Sequence, residues 1–234
     1  MPKLLAIDAS TEVCSVAIGH DDATWFRVCS EPRSHAKVLL PLVDELLLES
    51  GMQLSELDAI GVTAGPGSFT GIRIGLGVAQ GLAYGAEVPL VGVDTLHLLA
   101  QTCMQNADDC RDGTRIIAAL DARMKEVYWA VFEMHERLVA LQAPCVSAPE
   151  TLEAWLRDNP GEHDVGVGHG WNLADSTGLL YCDANLKPSA LAMLGFMEVP
   201  SRHVSDSALQ RALIEPSYLR NEITWEKRKR IRNP

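Results

Sequence analysis

Leu5-Ala6-Ile7-Asp8-Ala9 is followed, after a polar turn, by Val13, Cys14, Val16 and Ile18. Ala118-Ala119-Leu120-Asp121-Ala122 is followed in the same way by Val127, Tyr128, Trp129, Val131 and Phe132. In each stretch a short apolar strand ends at Asp-Ala and a second apolar strand comes after the turn, which is the pattern of a hairpin. Asp8 and Asp121 lie 113 residues apart in a chain of 234. Two copies at half-chain spacing imply a duplicated α/β unit.

Working outward, the apolar periodicity predicts a helix over 36–50 closed by Gly51, a strand over 59–63, a helix over 70–86 closed by Pro89, a strand over 90–93 and a helix over 95–105. Strands alternating with helices imply a sheet that is at least partly parallel. Farther on, a helix is expected over 148–159, with Ser147 as a candidate cap, Pro149 in its first turn and Pro160 as its stop. A strand over 165–168 and a short helix over 207–214 complete the pattern. No low-complexity linker separates the halves, and their boundary falls near 105–113.

Composition narrows the class. The chain is 47% hydrophobic and 22% charged, which suits a globular protein able to bury a core. The apolar run from Leu4 to Ile7 is too short for a signal peptide, and the longest charge-free stretch, 59–72, is shorter than the roughly 18 residues of a membrane span. Cysteines at 14, 29, 103, 110, 145 and 182 form no Cys-x-x-Cys pair. The expectation is therefore a cytoplasmic protein with free thiols and no membrane contact. A net charge of −11 argues against gripping nucleic acid unaided. Lys227, Arg228, Lys229, Arg230 and Arg232 nevertheless make the end, 226–234, a basic tail. It reads either as a solvated end or as a contact for RNA or an acidic partner.

Gly65-Pro66-Gly67-Ser68-Phe69-Thr70-Gly71 lies between a predicted strand and a predicted helix, where backbone amides and the helix dipole can receive an anion. It is not a P-loop, a dinucleotide fingerprint or a nucleophile elbow, because each needs a different spacing. Two readings stand: a phosphate site built from Gly65, Gly67 and Ser68 with Asp8, Ser10 and Thr11 opposite, or a tight turn with Ser68 as helix cap. The next helix carries Arg73 as its only charge and glycines at 71, 75, 77, 81 and 85. Each interior glycine costs about 1 kcal/mol relative to alanine, so other backbones are expected to press close. Ile72, Leu76, Ala79 and Ala83 on this helix, with Leu39, Leu42, Val43 and Leu46 on the preceding one, form an unusually wide apolar surface. Pro41 is expected to kink the earlier helix. Such a surface is either a deep core or a face that docks a partner or a second copy.

Catalytic constellations are scarce. Asp8, Ser10 and Thr11 fit an ATPase-type turn or a plain hairpin turn. No two of the seven histidines stand three or four apart, as a helical metal pair requires. Four residues after His35 stands Leu39, which cannot ligate. A chain rich in packing surface and poor in ligands favours a scaffold over an enzyme.

These residues resemble a known family. Ile7-Asp8-Ala9-Ser10-Thr11, Ser34-His35-Ala36 leading into Leu39-Leu40-Pro41, the glycine segment from 65 to 85, Asp94-Thr95-Leu96, Asp121-Ala122-Arg123 with Glu126-Val127-Tyr128, and Tyr218-Leu219-Arg220 are similar, in order, to the TsaB family, formerly YeaZ. The resemblance runs from residue 4 to about 225, with 181–204 matching no family motif. It implies the duplicated fold of actin, sugar kinases and Hsp-type chaperones. The first unit would be 1–107, completed by a C-terminal helix over 206–225, and the second 108–205. It implies a non-catalytic role in making threonylcarbamoyladenosine beside the tRNA anticodon, by binding the catalytic protein TsaD through the first two helices, with the ATPase TsaE. The sister family TsaD carries His-x-x-x-His for its metal, whereas this chain reads His35-Ala36-Lys37-Val38-Leu39. The resemblance further implies no intrinsic cofactor, ATP or ADP only in the complex, tRNA reached only through the complex, and a homodimer when TsaD is absent. The competing readings are a stand-alone ATPase or kinase and a metallopeptidase.

Overall fold

The duplication is written in the strand order. The computed structural model describes residues 2–106, 111–197 and 214–220. In the first sheet β1 (Leu4–Asp8), β2 (Cys14–His20) and β3 (Ala23–Cys29) form an antiparallel meander. The strands β4 (Ala59–Gly65) and β5 (Leu90–Asp94) then add in parallel beside β1, giving the order β3-β2-β1-β4-β5. The second sheet repeats this. A meander of β6 (Arg115–Arg123), β7 (Glu126–Met134) and β8 (Leu138–Ser147) is joined beside β6 by parallel β9 (Asp164–Val167) and β10 (Tyr181–Asp183). Read from the β8 edge, its order matches the first sheet strand for strand. This is the duplicated actin-like α/β fold expected from the resemblance.

Strand periodicity decides which residues face which layer. In β1, Leu5 and Ile7 join the core under α1 (His35–Ser50) and α2 (Phe69–Ala86). Leu4 and Ala6 face the opposite way, onto α5 (Ala190–Leu194). In β6, Ile116, Ala118 and Leu120 pack on α3 (Thr95–Asn106), while Ile117 and Ala119 meet Leu152 of α4 (Pro149–Asp158) and Trp171. The layers therefore run α1 and α2, first sheet, α3 and α5, second sheet, α4. Central strands covered on both faces must be apolar throughout, which is why β1, β4 and most of β6 read as continuous apolar runs.

Several expectations shift. The wide apolar surface of the first two helices is core: Leu39, Val43, Leu46, Ile72, Leu76, Ala79 and Ala83 are all buried within the chain, and Leu42 alone of the eight is half-buried. Assigning them to a partner face is corrected, because the first sheet already covers them. Pro41 lies on the exposed side of α1, which continues past it as one helix to the left-handed cap at Gly51. Ser147 does not cap α4. Ala148 holds that position, while the Ser147 hydroxyl accepts from Trp129 Nε1 at 2.9 Å. Residues 190–194, within the 108–205 span expected for the second unit, form α5, which packs on the first sheet. Residues 214–220 are not helical, and the rest of the expected 206–225 helix and the tail 226–234 lie outside the described residues.

Three strands, β3, β8 and β10, escaped the sequence reading, and all are edges. No residue of β3 or β10 is fully buried, and in β8, which contains Pro144, only Leu138 is. An edge strand covered on few sides has no need of a clean apolar pattern.

Candidate functional site: the cleft between the halves and the outer helix pair

The Asp-Ala turn is built alike in both halves. Asp8 Oδ1 accepts from the Ser10 amide at 3.1 Å and the Ser10 hydroxyl at 2.7 Å. Asp121 Oδ1 accepts from the Arg123 amide at 2.6 Å. In each case the carboxylate closes its own turn two residues on, an Asx arrangement. The surroundings differ. Asp8 is 1% exposed and its Oδ2 has no hydrogen-bond partner. Burial pushes its carboxyl up to about 6, against the pull of the Ser10 hydrogen bonds.

The glycine segment packs onto this turn. A Cβ at Gly67 would lie 2.3 Å from the Ser10 carbonyl oxygen, and one at Gly71 would lie 2.1 Å from that of Ala9. Only glycine allows so close an approach. The Ser68 amide donates to the Ser10 carbonyl at 2.7 Å, and the Ser68 hydroxyl accepts from the Gly71 amide at 3.2 Å. Ser68 is thus the N-cap of α2, and two of the amides an anion would need are engaged within the chain.

Ser10, Thr11, Gly67 and Ser68 open on one side to a cleft of about 1100 Å³ between the halves. Asp8 is not part of its wall. The cleft gathers motifs that are far apart in sequence. His35, at the start of α1, bonds through Nε2 to the Thr11 carbonyl at 3.0 Å. Arg73 lies over the Phe69 ring at 3.7 Å and donates to the Tyr218 hydroxyl at 2.9 Å. Arg220 binds the Ala122 carbonyl at 3.2 Å and the Glu126 carboxylate, joining the Tyr218-Leu219-Arg220 and Asp121-to-Tyr128 motifs. On the floor, burial works against Glu12, yet the Lys187 ammonium at 2.6 Å holds its carboxyl below the usual range. Burial pushes the His169 imidazole down, and its Nδ1 is buried without a partner.

The lining arginines Arg33, Arg73, Arg123 and Arg220 were not legible as a group. They are scattered over nearly 190 positions, and spacing carries no signal when a loop, the start of α2, the end of β6 and the 214–220 segment bring them together. That segment ties the halves together. The Ser217 amide donates to the Ala64 carbonyl at 2.7 Å, and the Ile214 carbonyl accepts from Gln80 Nε2 at 2.8 Å, before Arg220 reaches Glu126. Among the described residues no group of three or more His, Cys, Asp and Glu is placed to hold a metal ion. No helix there is long and apolar enough to cross a membrane.

The outer side of α1 and α2 is the second feature. Gly71 and Gly75 touch Ala9, whereas a Cβ at Gly77, Gly81 or Gly85 would meet nothing within 4 Å among the described residues. These three glycines stand four apart on one exposed face, beside Tyr84 at 57% exposure. On α1, Leu40 and Leu48 are likewise exposed.

Comparisons with known proteins agree with this architecture. A family model described as TsaD, tRNA N6-adenosine threonylcarbamoyltransferase, matches residues 30–164. The tRNA threonylcarbamoyladenosine biosynthesis protein TsaB of Escherichia coli K12 is 40% identical over 96% of this chain and 97% of its own. A solved structure from Pseudomonas aeruginosa, described as an uncharacterized protein with similarity to peptidase YEAZ, superposes with a TM-score of 0.80 at 34% identity. It covers 94% of this chain and 100% of the other. YeaZ from Pseudomonas aeruginosa gives 0.73 at 37% identity, over 83% and 91% of the two chains. With the duplicated fold, the paired Asp-Ala turns and near full-length similarity in hand, the chain belongs to the TsaB (YeaZ) family of tRNA threonylcarbamoyladenosine biosynthesis proteins.

Proposed function

We propose that this chain is a non-catalytic partner in threonylcarbamoylation of tRNA adenosine, and that it holds TsaD through the outer side of α1 and α2, with TsaE joining the same assembly. The observation that carries the reading is the face of Gly77, Gly81 and Gly85. A glycine inside a helix costs about 0.5–1 kcal/mol relative to alanine, and nothing among the described residues needs these three to be small. A helix from another chain, packed close along that face, does need it. Tyr84 on the same helix, and Leu40 and Leu48 on α1, are exposed apolar side chains. In the absence of TsaD, a second copy meets the same need, so the free chain pairs with itself.

A support role also accords with His35 and Leu39. His35 is spent on the Thr11 carbonyl, and Leu39 is sealed in the core where a second ligand would stand. Asp8 is buried away from the cleft and the Ser68 and Gly71 amides are engaged, a poor fit to a nucleotide held by this chain alone. ATP or ADP therefore belongs to the complex, and tRNA is reached through it. A stand-alone ATPase has the cleft in its favour but lacks an accessible carboxylate at Asp8.

The test is reconstitution. Formation of threonylcarbamoyladenosine on tRNA by TsaD and TsaE is measured with and without this chain. The proposal expects product only when the chain is present, and no turnover of ATP or modification of tRNA by the chain alone. Modification at full rate without it, or by it alone, contradicts the proposal.

A further inference from the structure

Cys14 opens β2 and Cys29 closes β3, and the two are direct partners across the antiparallel ladder. Cys14 belongs to the core cluster that includes α1, and Cys29 packs against the same cluster. Both thiols are free, Cys14 fully buried and Cys29 partly open to solvent. Directly opposed residues have Cβ atoms about 4.5–5.5 Å apart, and a disulfide needs about 3.5–4.5 Å. At the ends of two strands that difference is a small adjustment. Among the described cysteines no other pair is opposed in a ladder: Cys103 lies on α3, Cys145 on β8 and Cys182 on β10.

We propose that Cys14 and Cys29 form an oxidative modification site, closed to an intramolecular disulfide by a hydroperoxide. The more accessible thiol, Cys29, reacts first. The Cys29 thiolate attacks the peroxide O–O bond, gives a sulfenic acid and releases an alcohol, or water from hydrogen peroxide. The Cys14 thiolate then attacks the Cys29 sulfur, forms the S–S bond and expels the sulfenic oxygen as water. In balance, two thiols and one hydroperoxide give one disulfide, one alcohol and one water. Each sulfur loses one electron and the peroxide gains two. Burial pushes the Cys14 thiol up to about 12, with nearby Cys29 adding to the shift, so the buried partner does not react with oxidant on its own. Its role is to resolve the sulfenic acid formed beside it.

The position gives the bond a consequence. Cys29 Sγ lies 3.4 Å from the hydroxyl of Ser34, whose carbonyl accepts the Lys37 and Val38 amides at the start of α1. His35, next along, grips Thr11, three residues before Cys14. Cross-linking Cys14 to Cys29 fastens the two strand ends on which this junction rests.

The full-length chain is treated with hydrogen peroxide, alkylated under denaturing conditions and mapped by mass spectrometry without reduction. The expected product is a Cys14–Cys29 cross-linked peptide that dithiothreitol reverses and Cys29→Ser removes. In Cys14→Ala the reaction should stop at a Cys29 sulfenic acid trapped by dimedone, whatever the effect of that substitution on stability. Closure of the wild-type bond should speed up about tenfold per pH unit while Cys14 ionisation limits it. Wild type that leaves both thiols alkylated while Cys29 of Cys14→Ala is oxidised overturns the proposal, as does bridging of Cys29 mainly to another cysteine.

Discussion

The two halves share a strand order and a turn, yet they differ in the segment after the fourth strand. After β4 the chain makes the tight glycine loop and the 18-residue helix α2. After β9 the same position holds only a 3-10 turn, His169–Asn172, before β10. Gly170 sits against Ala119 there much as Gly71 sits against Ala9 in the first half. Packing of a glycine onto the first strand is thus kept in both copies, while the long helix with an open glycine face is kept in one. The difference teaches that the duplicated core is common structure, while the open glycine face proposed for another molecule belongs to the first half.

Electrostatic anchoring differs as well, and it gives the largest expected effect. In the second half Arg115 binds Asp164 through two short hydrogen bonds, 2.7 and 2.6 Å, with both side chains largely buried. Removing one member of a buried pair strands the other, so Arg115→Ala should lower unfolding free energy by about 3–5 kcal/mol in urea titrations. In the first half Arg27 meets Glu45 and Glu49 at the surface. Arg27→Ala should cost less than about 1 kcal/mol. Equal costs would break the contrast.

Asp8 gives the next effect. Its carboxyl is raised in the folded chain to about 6, above its ordinary value of 3.8. The folded state therefore binds the proton more tightly, and stability present at low pH is lost as pH rises from about 4 to about 6. Asp8→Asn removes that loss. It should stabilise the chain by on the order of 3 kcal/mol at pH 7 and by little at pH 4, as read from thermal unfolding at both values. A gain independent of pH would show that the buried charge is not its source.

Glycine substitutions sharpen the comparison at smaller magnitude. Gly170→Ala would put a Cβ 2.7 Å from Ala119 and Leu120 backbone atoms and should cost about 1–3 kcal/mol. Gly81→Ala has open space and should stabilise by about 0.5–1 kcal/mol. If Gly81→Ala instead destabilises the isolated chain, its glycine has a use within the fold and the face is not reserved for another molecule.

Much of the fold was legible, for identifiable reasons. The Asp-Ala hairpins, α1 with Gly51 as its stop, α2 and β4 all carry strong periodicity because both faces or a full stripe are covered. The Ser68 cap was readable from its place before a helix. Which apolar side of α1 and α2 faces inward was not, since a helix apolar nearly all round does not declare its inner face. Leu39 and Leu46 proved to be core, and Gly77, Gly81 and Gly85 proved to be outside. The glycines expected to be pressed by other backbones divide: Gly71 and Gly75 meet the first half's Ala9, and the outer three meet nothing among the described residues. The cleft arginines remained hidden because tertiary structure alone assembles them. The helix α5 was missed because its five residues give too short a pattern.

The most direct test of the central claim is the affinity of this chain for TsaD by titration calorimetry, comparing a Gly81→Glu, Tyr84→Glu double variant with Val139→Glu. The first places charge on the open face of α2. The second places it on β8 of the second half, where Val139 is also exposed. The account predicts that the α2 variant weakens binding by about 100-fold or more, with unchanged circular dichroism, while Val139→Glu stays within about twofold. Equal binding by the two variants, or loss with Val139→Glu alone, would contradict it.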